Sequence, residues 1–155
     1  MVFFTSPEMN FMEDKPILAD TNIIVYAFDA FDKRKHEICK SLVEKAFKGE
    51  IKLAVSNQVL AELFFVLTKK LKTPFIVEEA ETIVSGIIDS VNWVKINYNH
   101  ETVKKATALS RSKKISIWDS LIVSTALEHD ITKIYTENVK DFKETSITAI
   151  NPFNK

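Results

Sequence analysis

The stretch Pro16-Ile17-Leu18-Ala19-Asp20-Thr21-Asn22 constrains this chain more than any other. An apolar run with no polar alternation ends in an acid, a hydroxyl and an amide. A strand without a polar face is covered on both sides, which points to a parallel sheet enclosed by helices. Asp20 falls where that strand ends, and open α/β sheets bind their ligands just beyond the carboxyl ends of the strands. The same residues have a local use as well. Asp20, Thr21 or Asn22 can cap the next helix by accepting from its free N–H groups.

The rest of the chain alternates in the same style. A short helix and loop fit Ile23 to Ala30, and Lys35 to Lys48 reads as a helix with Ile38, Leu42, Val43, Ala46 and Phe47 at helical spacing. Gly49 stands where a left-handed cap would end it. Ile51 to Val55 is a strand, and Ser56-Asn57 caps a helix from Gln58 to Leu71 that turns Val59, Leu60, Leu63, Phe64 and Leu67 inward. Thr73-Pro74 stops that helix. Ile76 to Val91 is the next, with Ile83, Ile87 and Val91 on one face. Asn92 to Ile96 is a strand and Glu101 to Ser112 a helix. Ser116 opens a helix over Trp118 to His129 with Leu121, Ile122, Thr125 and Ala126 inward. Ile131 to Tyr135 and Thr148 to Ile150 complete four to five strands, joined by a loop or helical turn from Thr136 to Phe142. Strands alternating with helices predict an α/β fold.

Composition excludes several classes of function. The 155 residues carry 21 basic and 21 acidic side chains, so no global cationic field draws the chain to nucleic acid. Local patches remain at Arg111, Lys113 and Lys114, and at Lys140 and Lys143 around Asp141. The single cysteine, Cys39, has no internal partner and fits a reducing compartment or indifference to redox. Residues 1–14 lack a basic start and a long apolar core, and read as a flexible leader in which Met9 and Met12 are alternative starts. No stretch approaches a membrane span. A single domain over residues 15–155, in the cytoplasm, is the expectation.

Four acids are then brought together by topology. Asp20 follows the first strand, Glu62 lies in the helix after the second, and Asp141 follows the fourth. Asp119 sits in the first turn of the helix feeding the fourth strand, which starts at the same edge and runs back. Carboxylates gathered there repel one another and take up protons unless cations sit between them. An all-oxygen set without a His or Cys cluster favours Mg²⁺ or Mn²⁺ over Zn²⁺. Each acid has a structural alternative. Asp119 has nearly capping-box spacing from Ser116, and Asp141 can cap a turn. Glu62, flanked by Val59, Leu60, Leu63 and Phe64, is expected to be partly buried and to need compensation. His36, His100 and His129 show no metal-ligand spacing.

Read together, Leu18-Ala19-Asp20-Thr21-Asn22, Ser56-Asn57-Gln58-Val59-Leu60-Ala61-Glu62-Leu63, Trp118-Asp119-Ser120-Leu121-Ile122 and Thr136-Glu137-Asn138-Val139-Lys140-Asp141-Phe142 resemble the acidic motifs of PIN-domain nucleases, most of all the VapC-type toxins. The resemblance implies a three-layer α/β/α sandwich around a parallel sheet and Mg²⁺- or Mn²⁺-dependent endoribonuclease activity. It also implies a homodimer and a small antitoxin partner. It assigns Asp20, Glu62, Asp119 and Asp141 to the metal site and Thr21, Asn22, Thr136 and Asn138 to accessory polar positions. Asn138 stands where some members carry an acid, so Glu137 rivals Asp141 for the fourth place. A metal-dependent phosphatase using Asp20 as nucleophile is a second possibility, weakened by Asn22 where such enzymes carry another acid. A non-catalytic RNA- or protein-binding module on the same scaffold is a third. Phe64-Phe65 and the helix Ile76 to Val91 offer partner surfaces, with core packing as their competing use.

Overall fold

The computed structural model describes residues 15–154, so the leader expected over residues 1–14 lies outside the described residues. Five parallel strands stand in the order β3-β2-β1-β4-β5. They are β1 (Ile17–Ala19), β2 (Leu53–Ser56), β3 (Val94–Ile96), β4 (Lys133–Tyr135) and β5 (Thr148–Ile150). Six α-helices connect them among the described residues: α1 (Thr21–Phe28), α2 (Lys33–Phe47), α3 (Asn57–Lys69), α4 (Val77–Asp89), α5 (His100–Lys113) and α6 (Ile117–Glu128). A 3₁₀ turn, Val139–Phe142, links β4 to β5.

From β1 the chain winds outward to β2 and β3, then returns across the sheet to place β4 on the other side of β1. This reversal puts successive crossovers on opposite faces. Ile17 and Ala19 of β1, with Leu53 and Val55 of β2, pack against α1, α2, α3 and α4. Leu18, Ala54, Ile96 and Ile134 point the other way, into Ile122, Val123 and Ala126 of α6. The alternation along each short strand therefore fills two apolar layers, which is why β1 carries no polar face. Leu18 and Ile134 are fully buried, and truncating either to alanine is expected to cost ~2–5 kcal/mol.

Local chemistry sets the helices. In α2 the Asp32 carboxylate accepts from the Lys35 N–H at 3.1 Å, and Cys39, Val43 and Ala46 form the buried stripe. Gly49 follows at φ +77°, where an added Cβ would also meet the Asn92 side chain at 3.2 Å. The expected elements are present, with differences at their ends. α3 stops at Lys69, before the Thr73-Pro74 brake is reached, and Leu60 and Phe64 are half-buried rather than fully inward. Val91 is 95% exposed because α4 ends at Asp89 and Val91 follows the cap residue Ser90. Phe65 is exposed as well, while Phe64 packs against the core. α6 has no polar side between Ser120 and Ala126, every residue of which is buried. No helix of the described residues is long and apolar enough to cross a membrane.

Candidate active site

The reversal of strand order between β1 and β4 opens a crevice at their carboxyl ends. Asp20 occupies it, one residue beyond β1, and is buried. Its Oδ1 accepts the Thr21 N–H at 2.8 Å, so the helix-capping use foreseen for this stretch is realised. Its Oδ2 accepts the Thr136 hydroxyl at 2.8 Å from the end of β4. That hydroxyl in turn accepts the Asn138 N–H at 3.0 Å, which leaves its proton for Asp20. Asn22 offers Nδ2 to the same Oδ2 at 3.5 Å and receives the Glu137 N–H on Oδ1 at 3.2 Å. Thr136 and Asn22 therefore fix one carboxylate from two strand ends. Asn138 contributes through its backbone, and its side chain is exposed.

Glu62 comes from α3 in one layer and Asp119 from α6 in the other. Glu62 lies on the open side of α3, yet its carboxylate is still partly shielded from water, as expected. The inward stripe of α3 is Val59, Leu63 and Leu67, and Glu62 lies beside it, one turn on from Gln58. Gln58 is a participant the sequence reading missed. It is buried, and its Nε2 donates to Glu62 Oε1 at 2.9 Å and to the Trp118 carbonyl at 3.2 Å, tying α3 to the start of α6. Its spacing of four residues from Glu62 was the available signal. Asp119 lies half-buried in the first turn of α6, where its N–H donates to Ser116 Oγ at 3.0 Å.

Asp141 is placed by its neighbour, since Phe142 is buried in the α6-side core and anchors the turn. Glu137 turns elsewhere. Its carboxylate accepts the Tyr26 hydroxyl at 2.8 Å and pairs with Lys35 of α2, whose ammonium also lies over the Tyr26 and Phe153 rings. This second cluster, spanning β4, α1 and α2, was not foreseen from sequence.

The electrostatics tie the four acids to each other. Burial pushes the Asp20 carboxyl above its ordinary range, and the Asp141 charge adds to the rise. Loss of hydration raises Glu62, with Asp20 and Asp119 contributing, and raises Asp119, with Asp141 and Asp20 contributing. Glu137 acts instead on Tyr26 and Cys39. No three acids, histidines or cysteines among the described residues already stand in metal-ligand geometry. The donor set nevertheless suits a hard divalent cation that keeps several waters, because separated carboxylates can hold such an ion through its hydration shell. The Thr21 hydroxyl, buried beside Asp20 and without a partner, is a further oxygen for that shell. Asp20, Glu62, Asp119 and Asp141 are the residues that would hold it.

A family model described as the PIN domain matches residues 17–147. No curated protein matches the chain at a significant level. Among solved structures, a toxin–antitoxin complex from Klebsiella pneumoniae is 21% identical with a TM-score of 0.60, covering 88% of this chain and 97% of that one. VapC20 from Mycobacterium tuberculosis, described as a sarcin–ricin loop cleaving toxin, is 19% identical with a TM-score of 0.59, covering 76% and 86%. VapBC2 from Rickettsia felis, bound to a promoter DNA fragment, is 21% identical with a TM-score of 0.61, covering 87% and 97%. At these identities the likeness is one of fold. The family match runs from the first strand past Asp141 and takes in all four acids, and the chain belongs to the PIN domain family.

Proposed function

We propose that this chain is a divalent-metal-dependent endoribonuclease and the toxin of a toxin–antitoxin pair. The observation that carries the reading is the coupling of Asp20, Glu62, Asp119 and Asp141, drawn from the sheet and from both helical layers to one crevice. Exposed Arg111, Lys113 and Lys114 precede α6, and exposed Lys140 and Lys143 flank Asp141, so a neutral chain still presents cations around its acids. The VapC and toxin–antitoxin relatives support the substrate class and an antitoxin partner. Exposed Phe65 on α3, and Ile76, Val77 and Ile88 around α4, supply apolar surface for that partner or a second copy.

Asp20, Glu62, Asp119 and Asp141 would hold Mg²⁺ or Mn²⁺, which would supply an activated water and offset for the charge that develops on phosphodiester oxygens. The chain holds the geometry. Thr136 and Asn22 keep the Asp20 carboxylate in one orientation, and Gln58 does the same for Glu62. The Ser116 cap and the buried middle of α6, Ser120 to Ala126, fix Asp119 at the crevice. The lysines beside Asp119 and Asp141 orient the strand by its phosphates.

The test is Mn²⁺ binding by calorimetry for the wild type and Asp20→Asn, beside cleavage of single-stranded RNA and of a small phosphomonoester. Binding and RNA cleavage lost together in Asp20→Asn is the expected result. Cleavage of the monoester alone would assign a phosphatase, and full metal-dependent cleavage by Asp20→Asn would overturn the site. A wild type that binds no Mn²⁺ would leave a non-catalytic module.

A further inference from the structure

Trp118 is the second residue of α6, next to Asp119, and 64% of its surface is exposed. Water around a large indole is unfavourable by about 25 cal/mol per Å² of apolar area, so an open tryptophan beside a candidate active site asks for an occupant. The other tryptophan shows the usual solution. Trp93 is 2% exposed and meets Phe47 edge-on at 5.6 Å.

Trp118 lines a cavity of about 400 Å³ together with Tyr98, Asn57, Gln58, Ala61 and Glu62. The volume is at the small end of ligand pockets and suits a single ring system. Its wall is specific in chemistry. Ala61 is small, Trp118 and Tyr98 are aromatic, and two carboxamides sit between them. Asn57 Oδ1 receives the N–H groups of Gln58 and Tyr98 at 3.1 and 3.4 Å, which holds the Tyr98 segment against α3. Gln58 spends its Nε2 on Glu62 and the Trp118 carbonyl, and its Oε1 is left buried without a partner.

We infer that this cavity is a subsite for one unpaired nucleobase of the RNA strand, with Trp118 as the stacking platform and Tyr98 as its second aromatic wall residue. The inference rests on the ribonuclease reading above and deepens it. Base-on-aromatic stacking with a hydrogen bond to the base edge is how single-stranded RNA is held, and such stacking does not require a duplex. Glu62 is shared between the cavity and the acid group, so a base seated here places its own sugar-phosphate at the crevice. Arg111, Lys113 and Lys114, just ahead of α6, meet the continuing backbone.

The experiment reads Trp118 emission, because Trp93 is enclosed and stays constant. The full chain in EDTA, where cleavage is suppressed, is titrated with a single-stranded hexanucleotide RNA and with an abasic oligomer of the same length. RNA should quench the emission and the abasic oligomer should not. Trp118→Ala should weaken binding of the RNA, followed by anisotropy, by roughly 5- to 150-fold, while Trp118→Phe stays within about threefold of wild type. Equal RNA affinity of wild type and Trp118→Ala, or equal quenching by the abasic oligomer, overturns the subsite. If Mn²⁺-dependent RNA cleavage persists in that case, the ribonuclease reading stands without it. If cleavage is absent too, both fail. A concentration-dependent blue shift of Trp118 without RNA would give the cavity to a second copy of this chain and would also overturn the inference.

Discussion

Glu137→Gln and Asp141→Asn each remove one negative charge from the same short segment, and the structure assigns them opposite consequences. The Glu137 carboxylate pairs with Lys35, both side chains being little more than a quarter exposed, and accepts the Tyr26 hydroxyl. Exposed pairs contribute ~0.2–1 kcal/mol, and breaking a buried one costs ~3–5 kcal/mol. This pair lies between, so Glu137→Gln should cost about 1–3 kcal/mol. At about 3 °C per kcal/mol for a chain of this size, Tm falls by about 3–9 °C. Among the described residues Asp141 has no such partner, and its charge raises the carboxyls of Asp20 and Asp119. Asp141→Asn should leave Tm in EDTA unchanged or raise it by about 1–3 °C, because a repulsion worth under ~1 kcal/mol is removed. Thermal denaturation at pH 7.5, in EDTA and then with Mn²⁺ added, reads both effects. The Mn²⁺-dependent rise in Tm should survive in Glu137→Gln and shrink in Asp141→Asn. A Glu137→Gln protein with unchanged Tm and no Mn²⁺ response, beside an Asp141→Asn protein that responds normally, would refute the assignment of the fourth acid.

Three further outcomes are expected. Asp20, Glu62 and Asp119 all lie above their ordinary values of 3.8, 4.5 and 3.8, so between those values and the folded ones the native state holds more protons than the unfolded chain. Stability in EDTA should therefore fall as pH rises through that window, and scanning calorimetry run upward from the ordinary carboxylate range should show Tm declining with pH. Excess Mn²⁺ should reverse the trend, since metal competes with the same protons. Thr136→Val removes the hydroxyl that supports the ionised Asp20 and strands the Asn138 N–H. It should cost ~1–3 kcal/mol in urea denaturation and move the pH midpoint of Mn²⁺ binding upward. Burial pushes the Cys39 thiol up to about 12, so it should resist a thiol-reactive dye at pH 8 and react only on unfolding.

What could be read from the chain was what repeats along it or ends a repeat. The β1 run gave its double burial away because no polar residue interrupts it, Asp20 was found because it closes that run, and Glu62, Asp119 and Asp141 because the alternation of strands and helices returns each to the same edge. Periodicity says less about the flanks of a helix. Val91 fits the stripe of Ile83 and Ile87, yet it lies past the end of α4, and no residue pattern marks that end. α6 shows the opposite failure. Leu121, Ile122, Thr125 and Ala126 predict one inward face, whereas every residue from Ser120 to Ala126 is buried, between the sheet, α5 and the turn that carries Phe142. The polar partners were least legible. Tyr26 and Glu137 are 111 residues apart, and nothing near either one announces the other. Glu62 sits more open than its flanks suggest for a related reason, since its fully buried neighbours Val59 and Leu63 occupy a different stripe of the same helix.

The position of β1 between β2 and β4 bears on when the crevice comes into being. A ribosome releases β1 and Asp20 well before the neighbour that supplies Thr136 and the turn that supplies Asp141, with three strand-to-strand crossovers made in between. Until β4 emerges, one side of β1 has no strand to pair with and the Asp20 carboxylate lacks its Thr136 donor. Long-range pairing of this kind is slow to form and comes late. A nascent chain therefore carries Asp20 before there is a crevice to hold it, and a product that stops short of β4 would lack both the Thr136 donor and Asp141.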